Sequence, residues 1–353
     1  MRARSLGLAA AAASLALALT ACGTAGGVQT TPPDLIYVFN KGDNTISVID
    51  PVDQQVKVVE TIPFAAYGMY PSNQYGLSSG YLMLPTSTKV TIMRDSNLKP
   101  VATIPMAAAN GIWTAMLPHS KTGVIVGRAN DQIAWVNMNP ASREFGVVTR
   151  TVTVPGKAGL CDISIDPTGR YAYIPDLYTS TLRVVDLRTG KTVYLAPSPV
   201  KHSFMGTVSW NGKIWAVEGS AGNGQVAYLS LADPTHPRLL KVLGQGDGIG
   251  LGPHTDEFRP DNRYDFVLNQ KSSEVSVVDT TTLRVVRMIE LPKGGKPRVA
   301  AFSYHGNILY VSLEGVNSVA AIDTHTFKVI RIIKVGKDPV GLAPTQYAWT
   351  HGA

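Results

Sequence analysis

Four stretches of this chain can be laid over one another. They are "YVFNKGDNTISVIDPVDQQVKVVETI" from Tyr37, "YIPDLYTSTLRVVDLRTGKTVYLA" from Tyr173, "FVLNQKSSEVSVVDTTTLRVVRMI" from Phe266 and "YVSLEGVNSVAAIDTHTFKVIRII" from Tyr310. Each reads as an alternating strand, a polar turn, a second alternating strand ending in Asp, another turn and a third strand. The terminal aspartates Asp50, Asp186, Asp279 and Asp323 are 136, 93 and 44 residues apart, which fits three, two and one units of about 45 residues. The remaining units end at Arg94, Asn137 and Ser230, so seven units follow one another at spacings of 44, 43, 49, 44, 49 and 44.

Seven units of four short strands predict an all-β chain, a seven-bladed β-propeller of four-stranded blades, because a single blade cannot bury both of its faces. The first unit begins at Asp34 with its second strand, while "GKDPVGLAPT" (336–345) reads as an unpartnered innermost strand. The ring is therefore expected to close by pairing of that C-terminal strand into blade one. This sets a propeller at 34–345 and a tail at 346–353. The aspartates that end the third strands are short carboxylates placed to accept amide hydrogen bonds in the following turn.

The repeat Y-V-x-N-(x)n-[ST]-[VI]-x-V-[VI]-D resembles the YVTN repeat family of bacterial seven-bladed propellers over residues 34–345. Two blades depart from it: "GYLMLPTSTKVTIMRD" lacks the Asn, and "GVIVGRANDQIAWVN" ends in Asn137. The resemblance implies the fold; propellers host many unrelated activities.

Residues 1–21 carry two arginines and then an apolar run from Leu6 to Ala21, 16 residues long and short for a membrane span. Leu19-Thr20-Ala21-Cys22 resembles the bacterial lipoprotein box. That resemblance implies a signal peptide at 1–21, acylation of Cys22, a flexible tether at 22–33, and export to the cell envelope on the periplasmic or cell-surface side, with the membrane as one partner. Loss of Arg2 and Arg4 would lower the formal charge from +7 to +5. No Lys/Arg run with interleaved aromatics is present, and nucleic acid is not an expected partner. With Cys22 acylated, Cys161 has no disulfide partner, and a monomeric propeller must stand on its core.

In a propeller the innermost strands line a central channel, so their departures from the repeat mark candidate sites. "GPHTDEFRPDNRY" (252–264) supplies one. From Phe258 onward it matches Ile165-Asp166-Pro167-Thr168-Gly169-Arg170, the ordinary turn of the repeat. Before that, His254 aligns with Arg298, Phe204, Cys161, Ile112 and Val340, and Asp256 with Ala300, Gly206 and Ile163. Alternation puts His254, Asp256 and Phe258 on one side of their strand. Asp256 would need a cation if buried, and Arg298 on the next blade is the expected one.

The candidate ligand-binding residues near the rim are His254, Asp256, Arg298, His202, Cys161, Asp162, Trp113 and Lys296, with Met205 beside them. As a metal site the set is poor, since no two histidines share a strand, and no protein-bound metal is expected. Cys161 alone reads as a small buried hydrophobe. Trp113 suits either stacking on a flat ligand or packing between blades. The glycine-rich run Gly244 to Gly250 is followed by no helix and does not read as a phosphate cradle. No Walker loop, G-x-S-x-G or H-E-x-x-H motif occurs, and no residue is assigned to catalysis.

The expected function is a membrane-tethered module that binds a small ligand or an envelope protein on its channel rim. The alternative comes through the resemblance: YVTN propellers are similar to the d1-haem domain of nitrite reductase and to relatives that handle its tetrapyrrole. There a channel-mouth histidine ligates the iron while Arg and Lys meet the carboxylates, roles that the resemblance would give to His254 or His202, Arg298 and Lys296. A second alternative, lactone hydrolysis, needs a cluster of acids or histidines that the sequence does not assemble.

Overall fold

The computed structural model describes residues 35–61, 80–86, 88–106 and 112–344. The signal, the tether with Cys22 and the tail lie outside the described residues. The described chain forms seven antiparallel sheets arranged as the blades of a ring, with the innermost strands of blades four, five, six, seven and one packed successively side by side. Six blades have four strands; blade two shows three among the described residues, Tyr81–Pro85, Lys89–Arg94 and Pro100–Pro105.

Closure follows the expected route. The last strand, Pro339–Pro344, pairs antiparallel with the first, Ile36–Asn40, setting Ile36 opposite Pro344 and Phe39 opposite Gly341. The first strand is buried on both faces, as its continuous apolar run from Ile36 to Phe39 allows. Tyr37 and Phe39 pack with Leu82, Leu84 and Met93 of blade two, while Ile36 and Val38 pack with Tyr310, Val319 and Ala321 of blade seven.

The repeat signature has local structural causes. Asn40 Nδ2 donates to Thr45 Oγ1 and Ser47 Oγ, both at 2.9 Å, and Asn269 Nδ2 donates to Ser276 Oγ at 2.8 Å, tying the second and third strands together. The terminal aspartates accept turn amides: Asp279 Oδ1 from Thr281 and Thr282, Asp323 Oδ1 from His325 and Thr326.

Two sets of side-chain bonds join blade to blade. An innermost strand has one edge with no neighbouring strand, and its amides and carbonyls still need partners. Side chains of adjacent blades supply them: Asp162 Oδ2 accepts from Gly206 N, Ser164 Oγ accepts from Val208 N, Thr207 Oγ1 donates to the Asp256 carbonyl, and Thr255 Oγ1 donates to the Arg298 carbonyl. On the outermost strands one repeated position reaches a turn of the next blade. Arg150 donates to the Arg188 carbonyl, Tyr194 to Pro237, Lys241 to Leu283 and, across the ring closure, Arg331 to Asp53.

Candidate functional site at the channel mouth

A turn and a bulge introduce the innermost strands. Two positions before the His254 row the backbone is left-handed in five blades, at Gly159, His202, Gly252, Lys296 and Asp338, with φ from 51° to 67°. The carbonyl of that residue accepts the amide that follows the blade's second strand, from Ser220 to His202, Gln270 to Gly252 and Glu314 to Lys296, at 2.8 to 3.3 Å. The ladder then slips: Phe204, His254 and Val340 fall in β-bulges, and Arg298 falls with Val299 in the irregular stretch between Pro297 and Ala300. A bulge re-aims the extra residue, so the row that departs most from the repeat is also the row the backbone turns out of the ladder.

At this mouth the His254 ring meets Phe204 edge-on, with centroids 5.2 Å apart. Burial and the adjacent Arg298 charge push the imidazole down to about 3, so it is neutral at physiological pH, and its Nδ1 is buried without a hydrogen-bond partner. Arg298 Nη1 donates to Glu314 Oε2 at 3.0 Å, and Gln270 Nε2 reaches the same oxygen at 3.5 Å. In blade four, burial raises the Cys161 thiol well above its usual value, with Asp162 adding to the effect and Arg128 and Arg298 opposing it. Cys161 is thus an unreactive thiol under the influence of charges from blades three and seven. Burial raises Asp162 to about 6 against the amides of Gly206 and Ile163, which hold its ionised form.

The other candidates separate. Trp113, Cys161 and Met205 belong to one hydrophobic cluster, which makes Trp113 a packing residue, with the Arg128 guanidinium 5.5 Å from its ring centroid. His202 and Lys296 are exposed, each in the left-handed turn two positions before the row. The expected pairing of Asp256 with Arg298 is not formed: Arg298 is paired with Glu314, and Asp256 is fully buried against Glu218 and Asp265. The physical reason is direction, since the side of the strand that carries Asp256 and Phe258 faces blade five, where Phe258 packs with Ala216 and Tyr228. The sequence pattern missed Arg128, Gln270 and Glu314. All three occupy the position just after the second strand, where the amides of Gln270 and Glu314 bond to the left-handed turn, and that shared register was the available signal.

Among the described residues no group of His, Cys, Asp or Glu is arranged to hold a metal ion. The glycine-rich run forms a short 3-10 turn at Gln245–Asp247, and Asp247 Oδ2 accepts the Gly244 amide, placing a carboxylate where a phosphate would need a donor.

The fold and this mouth define a seven-bladed β-propeller whose channel rim carries a neutral histidine, an aromatic ring and a paired arginine. No protein-family model matches the chain, and no curated protein matches it in sequence. Solved structures match in fold. One is the dihydro-haem d1 dehydrogenase NirN in complex with DHE, at 16% identity and a TM-score of 0.65, covering 91% of this chain and 77% of that one. Another is a functionally unknown protein from Desulfotomaculum acetoxidans DSM 771, at 16% identity and a TM-score of 0.71, covering 88% of this chain and 98% of that one.

Proposed function

We propose that the protein is an envelope-tethered binding module, anchored through Cys22, that holds a ligand or a partner protein at the mouth framed by Phe204, His254 and Arg298 without turning it over. The observation that carries this reading is the bulged row: where His254 and Arg298 replace the apolar residues of other blades, the backbone turns them out of the ladder. Bulges of this kind are over-represented beside functional sites.

The neutral His254 with an unpartnered ring nitrogen favours a second reading, a tetrapyrrole ligand, and the fold likeness to NirN is compatible with it. A bound tetrapyrrole would supply a conjugated macrocycle with acidic side groups. His254 would meet the ring, and Arg298, exchanging its bond to Glu314, would meet a carboxylate. The lactone-hydrolysis reading gains no support from the acids that the fold does assemble, because Glu218, Asp256 and Asp265 are sealed from solvent.

Titration of the full-length protein with haemin and with metal-free protoporphyrin, followed by visible absorption and by recovery of the probe, separates these readings. A tetrapyrrole site gives a shifted spectrum, intact recovered probe, and affinity reduced about tenfold or more in His254→Ala, the equivalent of one lost polar contact. Binding that both His254→Ala and Arg298→Ala leave unchanged would remove the mouth as the site, and consumption of the probe would contradict a module without turnover. Silence with both probes leaves the protein-partner reading, in which Phe204→Ala and Arg298→Ala should abolish capture of that partner.

A further inference from the structure

The seam between blades five and six holds an arrangement that the mouth does not use. Glu218 on the strand Ile214–Gly219, Asp256 on Pro253–Phe258 and Asp265 on Tyr264–Asn269 meet with none of their surface exposed. Both carboxyl oxygens of Glu218, both of Asp256 and Oδ1 of Asp265 have no partner of good hydrogen-bond geometry. The donors near the group are the Tyr228 hydroxyl, at 2.6 Å to Asp265 Oδ2, the Phe266 amide beside Asp265 and the amide of Glu218 itself. The groups that act on it from the surrounding elements are Asp162 ahead of the first strand of blade four, Glu257 on the strand of Asp256, and Tyr228.

Three carboxylates cannot all ionise in such a site, because each charge would lack both water and a counter-ion. The contacts close only when carboxyl protons act as the missing donors. Asp256 faces both Glu218 and Asp265, and two shared protons would serve the three acids. The single charge rests on Asp265, where Tyr228 stabilises it.

We propose that this triad is a proton-operated latch: its shared protons tie blade five to blade six, and their loss loosens the seam next to the channel mouth. Burial raises Glu218 to about 8 and Asp256 well above the usual carboxyl range, while the Tyr228 bond opposes the rise of Asp265, which stands at about 6. Because these acids are raised in the folded chain, their stabilising contribution is complete below the ordinary carboxyl range and is lost as the pH climbs through about 8. The seam is continuous with the mouth through Thr207, which bonds to the Asp256 carbonyl, and through the contact of Phe204 with His254. The latch does not depend on what the mouth binds.

Infrared spectra of the full-length protein test this directly. A protonated-carboxyl carbonyl stretch should persist at about pH 7, where exposed carboxyls are ionised, and lose in Glu218→Gln the part that weakens in the unmodified protein as the pH passes about 8, the part held by Asp256 and Glu257 remaining. Glu218→Gln keeps a donor and removes the titration of that one acid. Its thermal midpoint should stay level between about pH 7 and 9, while that of the unmodified protein falls by several degrees. Absence of the carbonyl band near neutral pH overturns the latch, as does a parallel fall of both midpoints. If Glu218→Gln does not fold, the infrared titration of the unmodified protein decides alone.

Discussion

A chain ending at Val335 is expected to show no cooperative thermal transition. Removal of residues 336–353 takes away Pro339–Pro344, the innermost strand of blade one, and exposes the whole edge of Ile36–Asn40. Val340, Leu342 and Ala343, each at most 2% exposed, leave two clusters that join blade one to its neighbours on either side. Burial of these side chains contributes about 5 kcal/mol on its own, comparable with the whole net stability of many domains. The amide bonds of Gly336 to Ser47 and Lys337 to Asp43 go with them. Circular dichroism melts of the truncated and intact chains are the measurement, and a midpoint shifted by only a few degrees would show that the ring does not depend on this strand.

Asp176→Ala should be the most damaging single substitution in blade four. Asp176 and Arg183 stand where blades one and six have Asn40 with Ser47 and Asn269 with Ser276, so an ion pair replaces an amide–hydroxyl bond at the same site. The pair is deeply buried, with side-chain exposures of 0% and 3%, and Arg183 Nη2 lies 2.8 Å from Asp176 Oδ2. Removing the acid leaves a guanidinium buried with only Thr192 to receive it, at a cost of about 3 to 5 kcal/mol. The double change Asp176→Asn with Arg183→Ser restores the pairing used by the other blades and should recover most of that loss. Denaturant unfolding of the single and double variants measures the coupling, and a double variant no more stable than Asp176→Ala would sink the account.

Period and alternation are local properties, and they made the ring legible. The terminal aspartates gave the unit length, and the unpartnered "GKDPVGLAPT" gave the closure that the pairing of Ile36 with Pro344 realises. His254 and Arg298 stood out in the sequence as departures from a repeated position, whereas Phe204, whose ring meets His254, read as one more apolar member of that row. Arg128 and Glu314 could have been found by extending the comparison to the residue after each second strand.

The sequence by itself determined the number of blades, their strand order and the row from which the rim is built, because each is encoded in spacing along one chain. Only the tertiary structure decided which partner each side chain meets. Asp256 was expected to find Arg298 in the following blade; its strand instead turns that side toward blade five, where Glu218 waits, while Arg298 bonds to Glu314 within its own blade. Glu218, Asp256 and Asp265 lie on three strands and two blades, and nothing in their spacing marks them as neighbours. Their proximity is set by the rotation of one blade against the next, a quantity that depends on how two complete sheets pack and not on the pattern within either.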